Sequence, residues 1–267
     1  MPSTISTDTV AKEVETRRDA FFRGRFEVLQ PVRGGHRAGS DALLLAASLP
    51  EGARGHLADL GSGVGVAGIA AAVANPLIEV LLVEIDPLMK RLAVESLQLP
   101  ANRMLHGRVT ALQADATLSG EKRTASGLAN NAFDHVIMNP PYNHSGQRIS
   151  PDELRSLAHS MGEGGLDPWL RTAAAILKPG GMMHMIWRTE RIGDVIAGCQ
   201  GRFGGLIILP LHAREGEAAS RIIIRAIRGS KAPVSIATGV VLHGDGDKPT
   251  ALADAALNGN ARLSFGQ

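Results

Sequence analysis

A single cysteine, Cys199, stands in 267 residues. One thiol cannot close an internal disulfide or build a cysteine-based zinc site, and it fits a reducing compartment. Its surroundings, IAGCQGRFG, read as a helix end with no paired histidine, so its expected part is small apolar packing. Aromatic residues are also scarce: six Phe, two Trp and one Tyr. A nucleic-acid site built mainly on stacking is therefore not expected, and arginine and lysine would have to hold any phosphate backbone. Net charge is only +2, so no bulk attraction to a charged partner dominates. No apolar run approaches a membrane span. The first residues, MPSTISTDTVAKEVETRRDAFF, contain no apolar core of signal-peptide length. A cytoplasmic protein without membrane attachment is the expectation. No histidine–carboxylate or Cys/His spacing marks a metal site, and none is expected. Internal repeats and low-complexity blocks are absent too.

What is present is apolar side chain enough for one large core, at 44% of residues. Residues 1–25 read as a loosely ordered segment that is rich in arginine. Arg17, Arg18, Arg23, Arg25, Arg33 and Arg37 crowd this end, either as phosphate contacts or as a solvated face. Residues 26–267 read as one domain. FEVLQP is a short strand and RGGHRAG a glycine-rich loop. SDALLLAASLP is a helix capped by Ser40 or Asp41. From HLADL onward, strands alternate with helices. HLADL, EVLLVEID, RVTALQAD, FDHVIMN, GMMHMIW, GLIILPL and SRIIIRAIR make seven strands, and KRTASGLANNA is a polar loop between two of them. Such alternation predicts an α/β protein with a mostly parallel sheet and helices on both faces. Between the last two strands lies only HAREGEAA, too short for a crossover, so these two form a terminal antiparallel hairpin. APVSIATGVVLH is a candidate edge strand, and TALADAALNG a short helix ending at glycine.

Three strand tips carry polar signals. The first runs into ADLGSGVGVAG, where Asp59 precedes Gly61, Gly63 and Gly65. Ligands of open α/β sheets bind at the carboxyl ends of the strands, and glycines there allow close backbone approach. The second tip, VEID, presents Glu84, an acid able to accept both hydroxyl protons of a ribose. The third, QAD, presents Asp115 with Ala116 beside it, either toward an adenine amino group or as a turn residue. The glycines alone also fit a dinucleotide pattern. Together the three tips resemble the S-adenosylmethionine pocket of Rossmann-fold methyltransferases. That resemblance implies Asp59 and the glycines at the methionine part, Glu84 at the ribose and Asp115 at the adenine, with Ser62, Ile85 and Ala116 completing the pocket.

The fourth tip reads VIMNPPYN and contains the chain's only tyrosine. Pro140 and Pro141 have no N–H and a fixed φ, so they end the strand and stiffen the loop. Asn139 is held extended by the proline that follows. Its amide oxygen and the Pro140 carbonyl are two acceptors, and a planar NH₂ offers two donors. Tyr142 can stack on a flat ring, and Phe133 is a second aromatic candidate. Accepting both hydrogens turns the nitrogen lone pair toward an electrophile, for which the resemblance supplies the sulfonium methyl of S-adenosylmethionine. His144, Arg148 and Arg155 follow this tip, and His212 and Arg214 lie between the last two strands.

N-P-P-Y resembles the motif of enzymes that methylate exocyclic amines of adenine or the side-chain amide of glutamine. The segment LQPVRGGHRAGSDALLLAA, residues 29–47, is similar to the opening of bacterial tRNA adenine-N6 methyltransferases acting beside the valine anticodon. The likeness continues through DLGSGVGVAGIA, EID, MNPPY, LKPGG and LPLHAREGEAASRIIIRAIRG. It implies a Rossmann-like methyltransferase fold, tRNA as partner, and Gly39, Ser40 and Asp41 near the methionine end of S-adenosylmethionine. It also implies that Asn139, Pro140, Pro141 and Tyr142 form the catalytic loop, with Asn139 touching the cofactor as well. Other readings are glutamine methylation in a protein such as a release factor, a non-enzymatic RNA-binding protein on this scaffold, and an NAD-dependent oxidoreductase. The last leaves the N-P-P-Y stretch without a part to play.

Overall fold

The computed structural model describes residues 14–32, 39–141 and 165–266. Two strands, β1 (Thr16–Phe21) and β2 (Phe26–Pro31), precede the main sheet. They pair antiparallel from Thr16↔Pro31 to Phe21↔Phe26. Among the described residues, regular structure thus begins at Thr16, ten residues before the expected boundary at residue 26. The cause is local: Phe22 and Arg23 take left-handed backbone angles ahead of Gly24, and this tight turn closes the hairpin. The arginines here are engaged rather than free. Arg17 pairs with Asp19, Arg18 with Glu27 and Arg23 with Asp254, while Arg25 lies over the Phe22 ring. Arg33 and Arg37 lie outside the described residues.

Helix α1 (Ser40–Ala47) leads into β3 (Gly55–Leu60), α2 (Val66–Ala74), β4 (Ile78–Glu84), α3 (Pro87–Leu97) and β5 (Val109–Gln113). Then follow α4 (Gly120–Ala125), β6 (Phe133–Met138), α5 (Asp167–Ile176), β7 (Leu177–Arg188), α6 (Ile192–Cys199), β8 (Phe203–His212) and β9 (Arg221–Arg228). Helix α4 occupies part of the expected polar loop. It is anchored by the buried Arg123, which donates to the Leu128 carbonyl and to Asn130 Oδ1. At α1 the expected caps fail: Gly39 is the N-cap residue, Ser40 is already helical, and no side chain caps the first turn. Helix α3 is capped by a side chain, with Asp86 accepting from the Leu88 and Met89 amides ahead of a first-position proline.

The sheet runs β8-β9-β7-β6-β3-β4-β5, parallel except for β9, which lies antiparallel between β7 and β8. These are the seven expected strands, with the expected terminal hairpin. Two short strands, β10 (Ser235–Ile236) and β11 (Val240–Val241), add parallel to β8 and realise the candidate edge. The last helix, α7 (Ala251–Leu257), is capped by Thr250 Oγ1.

Strand periodicity sorts the core into two layers. Leu57, Ile137, Ile186 and Ile223 face one cluster with α1, α2 and α3. Ala58, Val136, Met185 and Ile224 face the other, with Trp169, Leu170 and Cys199 from α5 and α6. Cys199 is buried, and burial pushes its thiol up to about 12, which agrees with a packing role. Trp169, Trp187, Met183 and Met185 are buried in the core, and Met182 is half-buried. Among the described residues no helix is long and apolar enough to cross a membrane.

Candidate functional site

The strand order places β3 between β4 and β6, so their tips meet along one carboxyl rim. The turn after β3 is built from left-handed glycines: Gly61 at φ 70°, Gly63 at φ 56° and Gly65 at φ 90°. Their surroundings differ. A Cβ on Gly61 would meet the Trp169 ring at 2.8 Å, and one on Gly65 would meet Leu82 at 2.6 Å. A Cβ on Gly63 would meet nothing within 4 Å, so this glycine borders open space. Gly68, one turn into α2, lets that helix settle on β4, where an added Cβ would meet Leu82 at 2.4 Å.

These contacts carry a prediction. Gly65→Ala adds left-handed strain to a collision with Leu82 and is expected to lower unfolding free energy by roughly 2–4 kcal/mol. Gly63→Ala carries the strain alone, roughly 1–2 kcal/mol. Urea unfolding of both variants checks the order, and equal losses would refute the packing account of Gly65.

The carboxylates organise this turn from below. Glu84 Oε2 accepts from the Gly63 amide at 2.7 Å, and Oε1 accepts from the Asp86 amide at 2.9 Å. Glu84 is nearly buried, and burial raises its pKa against the lowering effect of those amides. A carboxylate has about four acceptor positions and the Gly63, Asp86 and Ile85 amides draw on three, so acceptor capacity for a hydroxyl donor remains. Asp59 lies deeper, at 2% exposure, with Oδ2 accepting from the Gly68 amide at 2.9 Å. Its pKa is raised to about 7, mainly by burial, with the Glu84 charge adding to it. Ser62 Oγ is buried beside them without a hydrogen-bond partner.

At the third tip, Asp115 Oδ1 accepts from both the amide and the hydroxyl of Thr117. This is the turn role anticipated as one of its two readings. Ala116 is buried next to it, and Ile85 is half-buried after β4. At the fourth tip, Asn139 follows Met138, whose strand pairs with β3 through Leu60. Its amide oxygen is buried and, among the described residues, has no hydrogen-bond partner. Pro140 is buried and Pro141 half-buried. Tyr142, His144, Arg148 and Arg155 lie outside the described residues.

Some expectations separate from the site. Phe133 begins β6, six residues before Asn139, about 20 Å away at strand rise, and is packed in the core. It cannot stack on anything at the rim. His212 Nδ1 donates to the Glu217 carbonyl, and Arg214 pairs with Asp247, so both serve local structure near the β8–β9 turn. Gly39 and Ser40 are exposed at the start of α1, and the carboxylate of Asp41 pairs with Arg221. Trp169 and Arg221 are additions that motif reading missed. Neither belongs to a local pattern; each reaches the rim only through the tertiary fold.

An adenosyl cofactor bearing a methionine tail would find matching groups here. The open face at Gly63, the Glu84 carboxylate and the unpartnered Ser62 hydroxyl fit a ligand rich in hydroxyls and charge. Among the described residues no group of three or more His, Cys, Asp or Glu side chains is placed to hold a metal.

Comparison with known proteins gives the same picture. The tRNA1(Val) (adenine(37)-N6)-methyltransferase of Porphyromonas gingivalis strain W83 is 28% identical over 60% of this chain, and the match spans only 61% of that protein's length. The protein of the same name from Aeromonas hydrophila is 27% identical over 72% of this chain and 77% of its own. A solved structure from Agrobacterium tumefaciens, described as a predicted O-methyltransferase, superposes with a TM-score of 0.73. It is 36% identical, over 84% of this chain and 98% of that one. Residues 34–193 match the methyltransferase small domain family. This match spans the glycine turn, Glu84 and the Asn-Pro-Pro tip, and the chain belongs to that family.

Proposed function

We propose that the protein transfers a methyl group from S-adenosylmethionine to an exocyclic amine, and that the amine is N6 of an adenine in a tRNA anticodon loop. The observation that carries this reading is the buried, unpartnered amide oxygen of Asn139 at the β6 tip. Leaving such an acceptor unmade costs about 1–3 kcal/mol, and a substrate N–H restores it. With the Pro140 carbonyl it forms a pair of acceptors suited to NH₂. A hydroxyl has one hydrogen and would leave one acceptor without a donor, so this feature favours N-transfer over the O-transfer predicted for the Agrobacterium relative. The names of the Porphyromonas and Aeromonas relatives support adenine as the base and tRNA as the polymer.

Glu84 would hold the ribose through a hydroxyl, the Gly61–Gly65 turn would pass under the methionine tail, and Asp59 would fix that turn through Gly68. The bound cofactor supplies an electrophilic methyl. Asn139 and Pro140 accept the two amine hydrogens and direct the nitrogen lone pair along the line of attack, so positioning does most of the catalytic work. The methylated nitrogen becomes acidic and loses its proton to water. Asn139 and the prolines are rigid by sequence, which keeps the acceptors fixed through the reaction. A loop base is already single-stranded, so presenting it needs no duplex opening.

The test uses purified protein, methyl-labelled S-adenosylmethionine and separate acceptors: bulk bacterial tRNA, a release-factor protein, and buffer. Label is expected in N6-methyladenosine after nucleoside digestion. Label in the protein's glutamine would replace the adenine reading, and cofactor binding without transfer to any acceptor would favour a binding protein.

A further inference from the structure

A second concavity lies on the α1 face of the sheet, away from the carboxyl rim. It measures about 380 Å³ and is lined from β7, β8, β9 and the short strand β10. Small-molecule sites span about 300–1,000 Å³. Pro50, Met182, Ile207 and Ile227 give it apolar walls, and Arg225 and Ser235 are the polar side chains among its lining residues. The sheet register locates it. Ile137, His184, Arg225 and Ile207 stand side by side on β6, β7, β9 and β8. Arg225 is four residues along β9 from Arg221, which faces Arg188 at the end of β7, so it lies about 13 Å below that edge at strand rise. Met182 and Ile227 pair two residues further from the rim. The pocket is therefore separate from the glycine turn and the Asn-Pro-Pro tip.

Arg225 enters this pocket as a cation without a counter-ion. Its guanidinium lies over the Phe265 ring, 4.9 Å from the centroid. Phe265 is edge-on to His184, whose Nδ1 meets Ser48 Oγ at 3.1 Å. A ring face steadies the charge and leaves the N–H fork available. Among the described residues no carboxylate pairs with Arg225, and burial lowers its pKa with no acid opposing that shift. Glu51, next to Pro50 in the chain, acts on Arg262 instead. His184 is fully buried, which pushes its pKa down to about 3, so it stays neutral and adds no second charge. A half-buried cation without a partner is unfavourable, and an anion relieves it.

We infer that this pocket binds a small organic acid, with its carboxylate on the Arg225 fork and its apolar body between Met182, Ile207 and Ile227. One guanidinium matches one negative charge, and a planar carboxylate fits its fork through two parallel hydrogen bonds. The exposed Ser235 hydroxyl is a further donor at the mouth. A nucleic-acid backbone fits less well, because it calls for a row of cations and these walls are apolar. The site does not depend on the methyl-transfer reading.

The experiment titrates the full chain with hexanoate and follows isotope-labelled methionine methyl groups by NMR. Met182 lines the pocket, and Met138 ends β6 at the rim. Met182 is expected to shift with a Kd on the order of 1 mM while Met138 stays in place. Hexanamide, the uncharged counterpart, should bind at least about fivefold more weakly. Arg225→Met should weaken hexanoate roughly tenfold and leave hexanamide unchanged, and Arg225→Lys, which keeps the charge without the fork, should fall between. Ser235→Glu alters an exposed position and puts an acid at the mouth, so it should block hexanoate even if Arg225→Met does not fold. Equal affinity for hexanamide would overturn recognition of charge, and tighter binding of hexyl phosphate would overturn the carboxylate assignment. A shift at Met138 alone would put the probe at the rim and overturn the pocket, as would a Met182 signal that stays still at tens of millimolar hexanoate.

Discussion

Asn139→Ala is expected to reduce methyl transfer by roughly a hundredfold to a thousandfold, the range seen when one positioned polar group is removed from a reaction centre. Cofactor affinity should change by less than about threefold. The split follows from where the side chain sits. Its amide oxygen is buried at the β6 tip with no hydrogen-bond partner among the described residues, so none of their hydrogen bonds is lost with it. The groups that would hold the ribose and the methionine tail belong to β4 and the glycine turn, and they survive the substitution. What disappears is one of two acceptors for the amine. The Pro140 carbonyl remains, so one hydrogen is still held, but the lone pair is free to swing off the line of attack. Single-turnover transfer with saturating cofactor reads the first effect, and equilibrium titration reads the second. Transfer within threefold of wild type would remove Asn139 from the reaction. A parallel collapse in cofactor affinity would make it a pocket residue instead.

That these strand tips share one rim is legible in the sequence, and the reason is topological. In a parallel sheet each βα turn lies at the same end, so tips separated by 20 or 30 residues in sequence become neighbours. DLGSG, VEID and MNPP could be gathered by reading strand ends alone. The parts that escaped are those without a local period. TRRDAF shows no apolar alternation, because β1 has no buried residue, and it read as disorder. Its turn uses Phe22 and Arg23 at positive φ, where asparagine or glycine would have been the signal. Ser40 reads as a cap, yet the cap position falls one residue earlier, at Gly39. Arg221 reads as an ordinary strand-end charge until the sheet brings it to Asp41. The same blindness covers Trp169, whose ring closes against Gly61 from the opposite layer.

If Asp59 faces the cationic methionine end of S-adenosylmethionine, cofactor binding is expected to release a proton at pH 6 and none at pH 8. The ordinary carboxyl value is 3.8, and burial raises Asp59 to about 7. Between these values the folded protein binds more protons than the unfolded chain. Its stability therefore falls as pH rises through this window and levels off above it. At about 1.4 kcal/mol per unit, the apoprotein loses on the order of 4 kcal/mol from this group alone. The nearby Glu84 charge contributes in the same direction, and the Gly68 amide opposes it. A ligand carrying positive charge at its methionine end favours ionised Asp59 and reverses the penalty. Affinity should then rise up to tenfold per pH unit below about 7 and become flat beyond it. Calorimetric titration in two buffers of different ionisation enthalpy counts the released protons. Asp59→Asn, which cannot ionise and still offers an oxygen to the Gly68 amide, should bind with little pH dependence and release none. A wild-type proton count of zero at pH 6 would mean that Asp59 does not change protonation on binding and would refute this account. A persistent pH dependence in Asp59→Asn would move the titration to Glu84, the other buried carboxylate of the rim.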